Sequence, residues 1–372
     1  RQEQIGEFMT VQLPVKDRQP TVKMDSTQVT TSPGARKSII DSIPLKLVLF
    51  LAKPYLAGKS SAEAIARAHK LFAENKFAGT LDILGEDAAT VEDCQYYVNA
   101  YISLIDEVAG HQIATDEPRR RMTISMKPSM FSTQAPAPGQ ASERALDEAF
   151  DRIMKVVDHA QRRGIEMTLE AEDHRWTNFH LETYFALFKA GYTNLGTVLQ
   201  SRLFRTEKDI KRFGEGMRVR MVIGIYQEPE SIAETQKPIM KDLLVKYAGE
   251  LAQNGVYVEI ASHDTQCIEH FVRYVVLPQK LPASRWETQF LLGVPRSKMQ
   301  KTLTDGSYFS EIARTLDGTE AKHALELAKS GVIVRMYLPY GRDKVSGPYC
   351  RRRLKANPNM IAYGIKNVLG LE

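Results

Sequence analysis

Eight short runs of β-branched and aliphatic residues alternate with longer stretches of helical period, and this rhythm restricts the fold more than any other feature of the chain. The runs fall at residues 79–84, 122–126, 166–169, 196–199, 219–222, 257–260, 288–292 and 332–337. Amphipathic stretches lie between them, among them 142–163, 178–190, 232–254 and 321–330. Strands joined through helices pair in parallel, because each crossover returns the chain to the same end of the sheet. Eight such units predict an α/β fold, a (β/α)8 TIM-type barrel over residues 77–372. Residues 38–76 predict a helical N-terminal segment, in which the Ser60, Ser61, Ala62, Glu63 run signals a helix start. Residues 1–37, rich in Thr, Ser, Gln and Pro and without apolar period, predict a flexible arm.

Composition narrows the function. With 50 basic and 45 acidic residues the formal charge is only +5, which argues against a nucleic-acid binder. The triplets Arg119–Arg121 and Arg351–Arg353 read as solvated faces or phosphate contacts. Cys94, Cys267 and Cys350 lie far apart, and the histidines form no ligand pair, so neither a disulfide framework nor a metal site is expected. That cysteine usage fits a reducing, cytoplasmic compartment. The most apolar run, residues 45–52, includes Lys46 and is about half a bilayer span. It predicts a helix packed on the barrel, with a peripheral membrane contact as the alternative.

In such barrels the chemistry sits at the C-terminal ends of the strands. There the sequence offers Lys127 after the second run, Glu170, Glu172 and Asp173 after the third, and Gln200 after the fourth. Gly224 and Tyr226 follow the fifth, and Ser262, His263 and Asp264 the sixth. Gln289, Leu291 and Gly293 mark the seventh, and Tyr337, Pro339 and Gly341 the eighth. Beyond these, Tyr349, Arg352 and Arg353 fall on a predicted helix. Adjacent arginines diverge by roughly 100° around a helix axis, so one can clamp a carboxylate while the other reaches a cofactor. The competing reading of that triplet is a solvated basic face.

These segments together resemble the proline dehydrogenase family. Tyr337-x-Pro339-x-Gly341 followed by Tyr349-x-x-Arg352-Arg353-Leu354 is similar to its C-terminal signature. Lys127-Pro128-Ser129, Glu170-x-Glu172-Asp173, Val198-x-Gln200, Arg220-x-x-x-Gly224-x-Tyr226, Ser262-His263-Asp264 and Glu287-x-Gln289-x-Leu291-x-Gly293 match its other motifs in order, over residues 78–357. The resemblance implies a distorted barrel that holds FAD non-covalently and oxidises L-proline to Δ1-pyrroline-5-carboxylate, passing electrons to a quinone. It implies that Lys127, Glu170, Tyr226, Leu291, Tyr337, Tyr349, Arg352 and Arg353 line the proline site. It implies flavin contacts from Gln200, Arg220, Val222, Gly224, Ile225, Tyr226, Ser262, His263, Gln289 and Arg353, with Lys237 near the adenosine or phosphates.

Elementary chemistry agrees with those roles. The substrate carboxylate needs cations, supplied by Lys127 and the two arginines, and a buried cationic cluster needs a counter-charge, assigned here to Glu170. Leu291 and the tyrosines suit the methylene face of the ring. Arg220 suits a reduced, anionic flavin. Some positions depart from the family pattern. Ile223 replaces a lysine, Ile225 an alanine and Glu170 an aspartate, and Arg202 stands where a small residue and a tyrosine are usual. A relative acting on hydroxyproline or pipecolate, and a non-catalytic flavin-binding barrel, are the alternatives.

Overall fold

A computed structural model describes residues 44–85, 87–136, 143–342, 346–347 and 350–351. Helices α1 (Leu45–Ala52) and α2 (Ser61–Asn75) precede β1 (Ala78–Ile83). Then follow α3 (Val91–Gly110), β2 (Thr123–Met126), α4 (Glu143–Arg162), β3 (Met167–Leu169), α5 (His174–Lys189), β4 (Leu195–Gln200) and α6 (Thr206–Asp209). The chain continues through β5 (Arg218–Val222), α7 (Lys237–Gln253), β6 (Tyr257–Ala261), α8 (Thr265–Phe271) and β7 (Trp286–Leu291). Helices α9 (Ser297–Asp305), α10 (Ser307–Ala313) and α11 (Gly318–Ser330) lead into β8 (Ile333–Tyr340).

The strands close into one barrel in sequence order, all pairs parallel, with β8 returning to β1. The expected α/β barrel is therefore what the chain forms, and each predicted strand is present with ends shifted by a few residues. The longest shift is at β8, which runs on to Tyr340 and so places Tyr337 within the strand.

Local chemistry sets the helix starts. Thr90 and Asp93 form a reciprocal capping box at α3, and Ser60 Oγ accepts from Glu63 N at α2. Asp173 caps α5 and Asp264 caps α8, so two acidic residues of the strand-end motifs satisfy helix N–H groups.

The outer side of the barrel wall is apolar. Leu81, Ile124, Leu169, Met221, Ile260, Phe290 and Leu338 are buried in the main core shared with the surrounding helices. The alternate positions carry polar and charged side chains that meet one another, as the period-two geometry of a strand requires. Arg335 Nε donates to Glu287 at 2.6 Å, Arg218 Nη1 to Glu259 at 2.5 Å, and Lys127 Nζ to Asp82 at 2.7 Å. A second, smaller apolar cluster joins Val48, Ala52 and Tyr55 to Leu84, Leu291, Val294 and Cys350. Helix α1 thus packs beside the C-terminal mouth, while its Leu47 and Phe50 face outward at 46% and 52% exposure. Among the described residues no helix is long and apolar enough to cross a membrane.

Candidate active site

The C-terminal mouth opens into a cavity of about 300 Å³, within the range of small-molecule sites. Lys127, Glu170, Tyr226, Leu291 and Tyr337, expected at the proline site, all line it. So do Gln200, Arg220, Val222, Gly224, Ile225, Ser262, His263 and Gln289, expected at the flavin. Ala171, Val198, Ile223, Ala261 and Phe290 complete the wall. Lys237, the first residue of α7, is not among the lining residues. Tyr349, Arg352 and Arg353 lie outside the described residues, as does the arm 1–37.

The charge pairing differs from expectation. Glu170 is not the partner of Lys127. Its carboxylate accepts from Arg220 Nη1, whereas Lys127 is paired with Asp82 of β1. The reason is register. Lys127 directly follows β2, whose Ser125 is opposite Asp82, so the ammonium reaches across to the neighbouring strand. Asp82 was missed because a lone acid inside an apolar run looks incidental. Burial pushes its carboxyl above the ordinary range, against the lowering effect of Lys127. Ser125 Oγ donates to Tyr337 Oη at 3.0 Å, and the Arg220 guanidinium sits 5.3 Å from the centre of the Tyr337 ring.

Behind the wall, Glu172 ties successive loops together. Its carboxylate accepts from Ser129 N at 2.9 Å and Ser129 Oγ at 2.7 Å, and its backbone oxygen accepts from Gln200 Nε2 at 2.8 Å. Ser129 in turn accepts from Ala88 N through its carbonyl. Because a carbonyl can only accept, the Gln200 amide must turn its NH2 toward Glu172, which leaves Oε1 buried without a partner. Burial raises the Glu172 carboxyl from 4.5 to about 7 against the hydrogen bonds from Ser129. A folded-state value above the unfolded one means the folded protein keeps a proton that the unfolded chain releases. Stability from this group therefore falls as pH rises from 4.5 to about 7. Glu172→Gln is expected to remove that slope. Urea midpoints of wild type and variant, taken below and above the window, would show it; parallel pH dependences would contradict it.

Two observations bear on a cofactor. Arg220 Nη2 and Gln200 Oε1 are buried polar atoms with no protein partner, and both belong to residues of the cavity wall. Gly224 has φ +101°, and a Cβ there would lie 2.4 Å from Gln200 Oε1. The backbone at Gly224 is thus kept bare where the wall needs close approach. A ligand that donates to Gln200 Oε1 and accepts from Arg220 Nη2 fits this set. Among the described residues no group of three or more His, Cys, Asp and Glu is placed to hold a metal ion.

An eight-stranded parallel barrel whose C-terminal mouth gathers an ion-paired lysine, a tyrosine and an arginine–glutamine wall has the layout of a barrel enzyme. Solved structures share this fold. Proline utilization A from Bdellovibrio bacteriovorus inactivated by N-propargylglycine superposes with a TM-score of 0.68 at 20% identity, over 83% of this chain and 33% of that one. The chain therefore spans about a third of that structure. The proline dehydrogenase family profile matches residues 64–361. A proline dehydrogenase of Deinococcus radiodurans is 27% identical over 90% of this chain and 95% of its own length. Proline dehydrogenase 2 of Bacillus subtilis is 30% identical over 60% of this chain and 64% of its own. The chain belongs to the proline dehydrogenase family and is an oxidoreductase acting on proline.

Proposed function

We propose that the protein oxidises L-proline to Δ1-pyrroline-5-carboxylate with non-covalently bound FAD and passes the electrons to a quinone. The observation that carries this reading is the single cavity in which Lys127 and Tyr337 stand beside Arg220, Gln200 and Gln289, two of them with unpartnered buried atoms. FAD, when bound, supplies the acceptor for the hydride leaving the carbon next to the ring nitrogen. Lys127, held by Asp82, presents its ammonium to the substrate carboxylate. Leu291 and Tyr337 cover the methylene face and exclude water. Glu170 holds Arg220, whose charge favours an anionic ligand on that side of the cavity. Gln200 offers an acceptor to an N–H of the flavin ring. Tyr349, Arg352 and Arg353 join the carboxylate clamp in this reading, on the strength of their motif. The location is cytoplasmic, and the outward Leu47 and Phe50 of α1 support a peripheral contact with a quinone-bearing membrane.

Anaerobic titration of the protein with L-proline tests the reading. Bleaching of a bound flavin supports it. A flavin that stays oxidised with proline but bleaches with pipecolate or hydroxyproline would redirect the substrate, and absence of any flavin uptake would end the reading. Gly224→Ala is expected to weaken FAD binding by roughly tenfold, because the new methyl displaces Gln200 and strains a left-handed backbone by about 1–3 kcal/mol. Fluorescence titration of the apoprotein with FAD measures it, and an unchanged affinity would remove Gln200 from the flavin site.

A further inference from the structure

We propose that Glu259 sets the electron affinity of the bound flavin by dividing its charge between Arg218 and Arg220; this rests on the FAD reading above. Glu259 is a positioning residue, since it lies on β6 outside the cavity wall and is 1% exposed. Its carboxylate accepts from Arg218 Nη1 at 2.5 Å and from Gln289 Nε2 at 2.7 Å, and lies 3.5 Å from Arg220 Nε. Two of these three neighbours, Arg220 and Gln289, belong to the wall; Arg218 does not.

The sharing is unequal. Arg218 takes the close contact with Glu259, with Glu166 a further 3.9 Å from its Nε, whereas Arg220 meets the Glu259 carboxylate only at 3.5 Å. Arg220 is left with Glu170 on Nη1 and an Nη2 that no protein atom satisfies. Gln289 Nε2 is also held by Glu287 at 2.7 Å, which in turn is paired with Arg335. Glu287 is thus occupied elsewhere; Glu170 and Glu259 are the carboxylates on Arg220, and of the two Glu259 is the one shared with a second arginine. Despite burial, the Arg218 and Arg220 guanidiniums hold its carboxyl well below the usual carboxylate range. A flavin gains negative charge on reduction, so the less Arg220 is neutralised, the more the reduced form is favoured.

Opposite shifts follow from the two ends of this contact. Glu259→Gln frees Arg220 and is expected to raise the reduction potential of bound flavin. Arg218→Gln returns the whole Glu259 charge to Arg220 and is expected to lower it. Each change corresponds to about a tenfold shift in the equilibrium with a reference dye, for one charge acting through a protein-like dielectric. A packing defect common to both variants would not produce opposite signs. The measurement is anaerobic equilibration of each full-length holoprotein with the dye, followed by absorbance. Unshifted potentials, or shifts of one sign in both variants, would overturn the proposal. If Glu259→Gln does not fold, Arg218→Gln decides alone, a fall supporting the proposal and a rise or no change ending it. Wild-type protein that takes up no flavin would end the FAD reading and this one with it. Wild-type flavin that proline bleaches, beside unshifted variants, ends only this one.

Discussion

Lys127→Met is expected to lower kcat/KM for proline by about a hundredfold or more. The Lys127 ammonium is buried, 8% exposed, and in the proposed reading it meets the substrate carboxylate. Removing one partner of a buried, hydrogen-bonded charge pair costs roughly 2–5 kcal/mol, and each 1.4 kcal/mol is about tenfold. The substitution also strands Asp82, which has no exposure and whose Oδ2 already lacks a partner. The variant therefore loses stability as well as substrate binding. Adding Asp82→Asn separates the two effects, because a neutral amide tolerates the loss of the ammonium. The double variant is expected to regain stability against urea while its KM for proline stays high. A double variant that recovered normal kinetics would show that Lys127 serves only to neutralise Asp82.

Arg335→Met is expected to be the most destabilising single change, by about 3–5 kcal/mol. Arg335 is 2% exposed and ties together both ends of the strand order where the barrel closes. It holds Glu287 of β7 through Nε at 2.6 Å and Nη2 at 3.1 Å, and donates from Nη1 to Gly79 O at 3.3 Å and Arg121 O at 3.0 Å. Methionine fills much of the space but leaves the Glu287 carboxylate with only Gln289 and Tyr257 Oη at 3.1 Å. Urea unfolding would give the loss directly. A loss below about 1 kcal/mol would mean that those neutral donors suffice for Glu287, a hydrogen bond being worth about that much. Because Arg335 does not line the cavity, activity per folded molecule is expected to persist.

The barrel was legible because its signal is local. Period-two runs and helical stretches alternate along the chain, and caps such as Thr90 with Asp93 mark the helix starts in a few adjacent residues. The strand-end residues were legible for a related reason: a barrel brings every strand's C-terminal end to one mouth, so order along the chain becomes neighbourhood in space. That is why Lys127, Gln200, Arg220, Gln289 and Tyr337 meet in one cavity.

The interior of the barrel carries a signal of its own in the sequence. Arg218 and Arg220, Glu287 and Gln289, and Glu259 and Arg335 stand at alternate positions of strands that helices cover on the other side. With both faces buried, such charges have nowhere to go but inward, toward one another. The pattern therefore implied an ion-paired interior, though not who pairs with whom.

The sequence by itself determined the eight-unit barrel, the family and the strand-end residues that line the cavity, because strand period, helix capping and motif order act over short stretches of chain. Only the tertiary structure decided the partners: Asp82 rather than Glu170 for Lys127, Arg220 for Glu170, and Glu259 between two arginines. Ion pairing depends on the stagger between strands distant in sequence, where a displacement of one residue turns a side chain from the inside of the barrel to the outside.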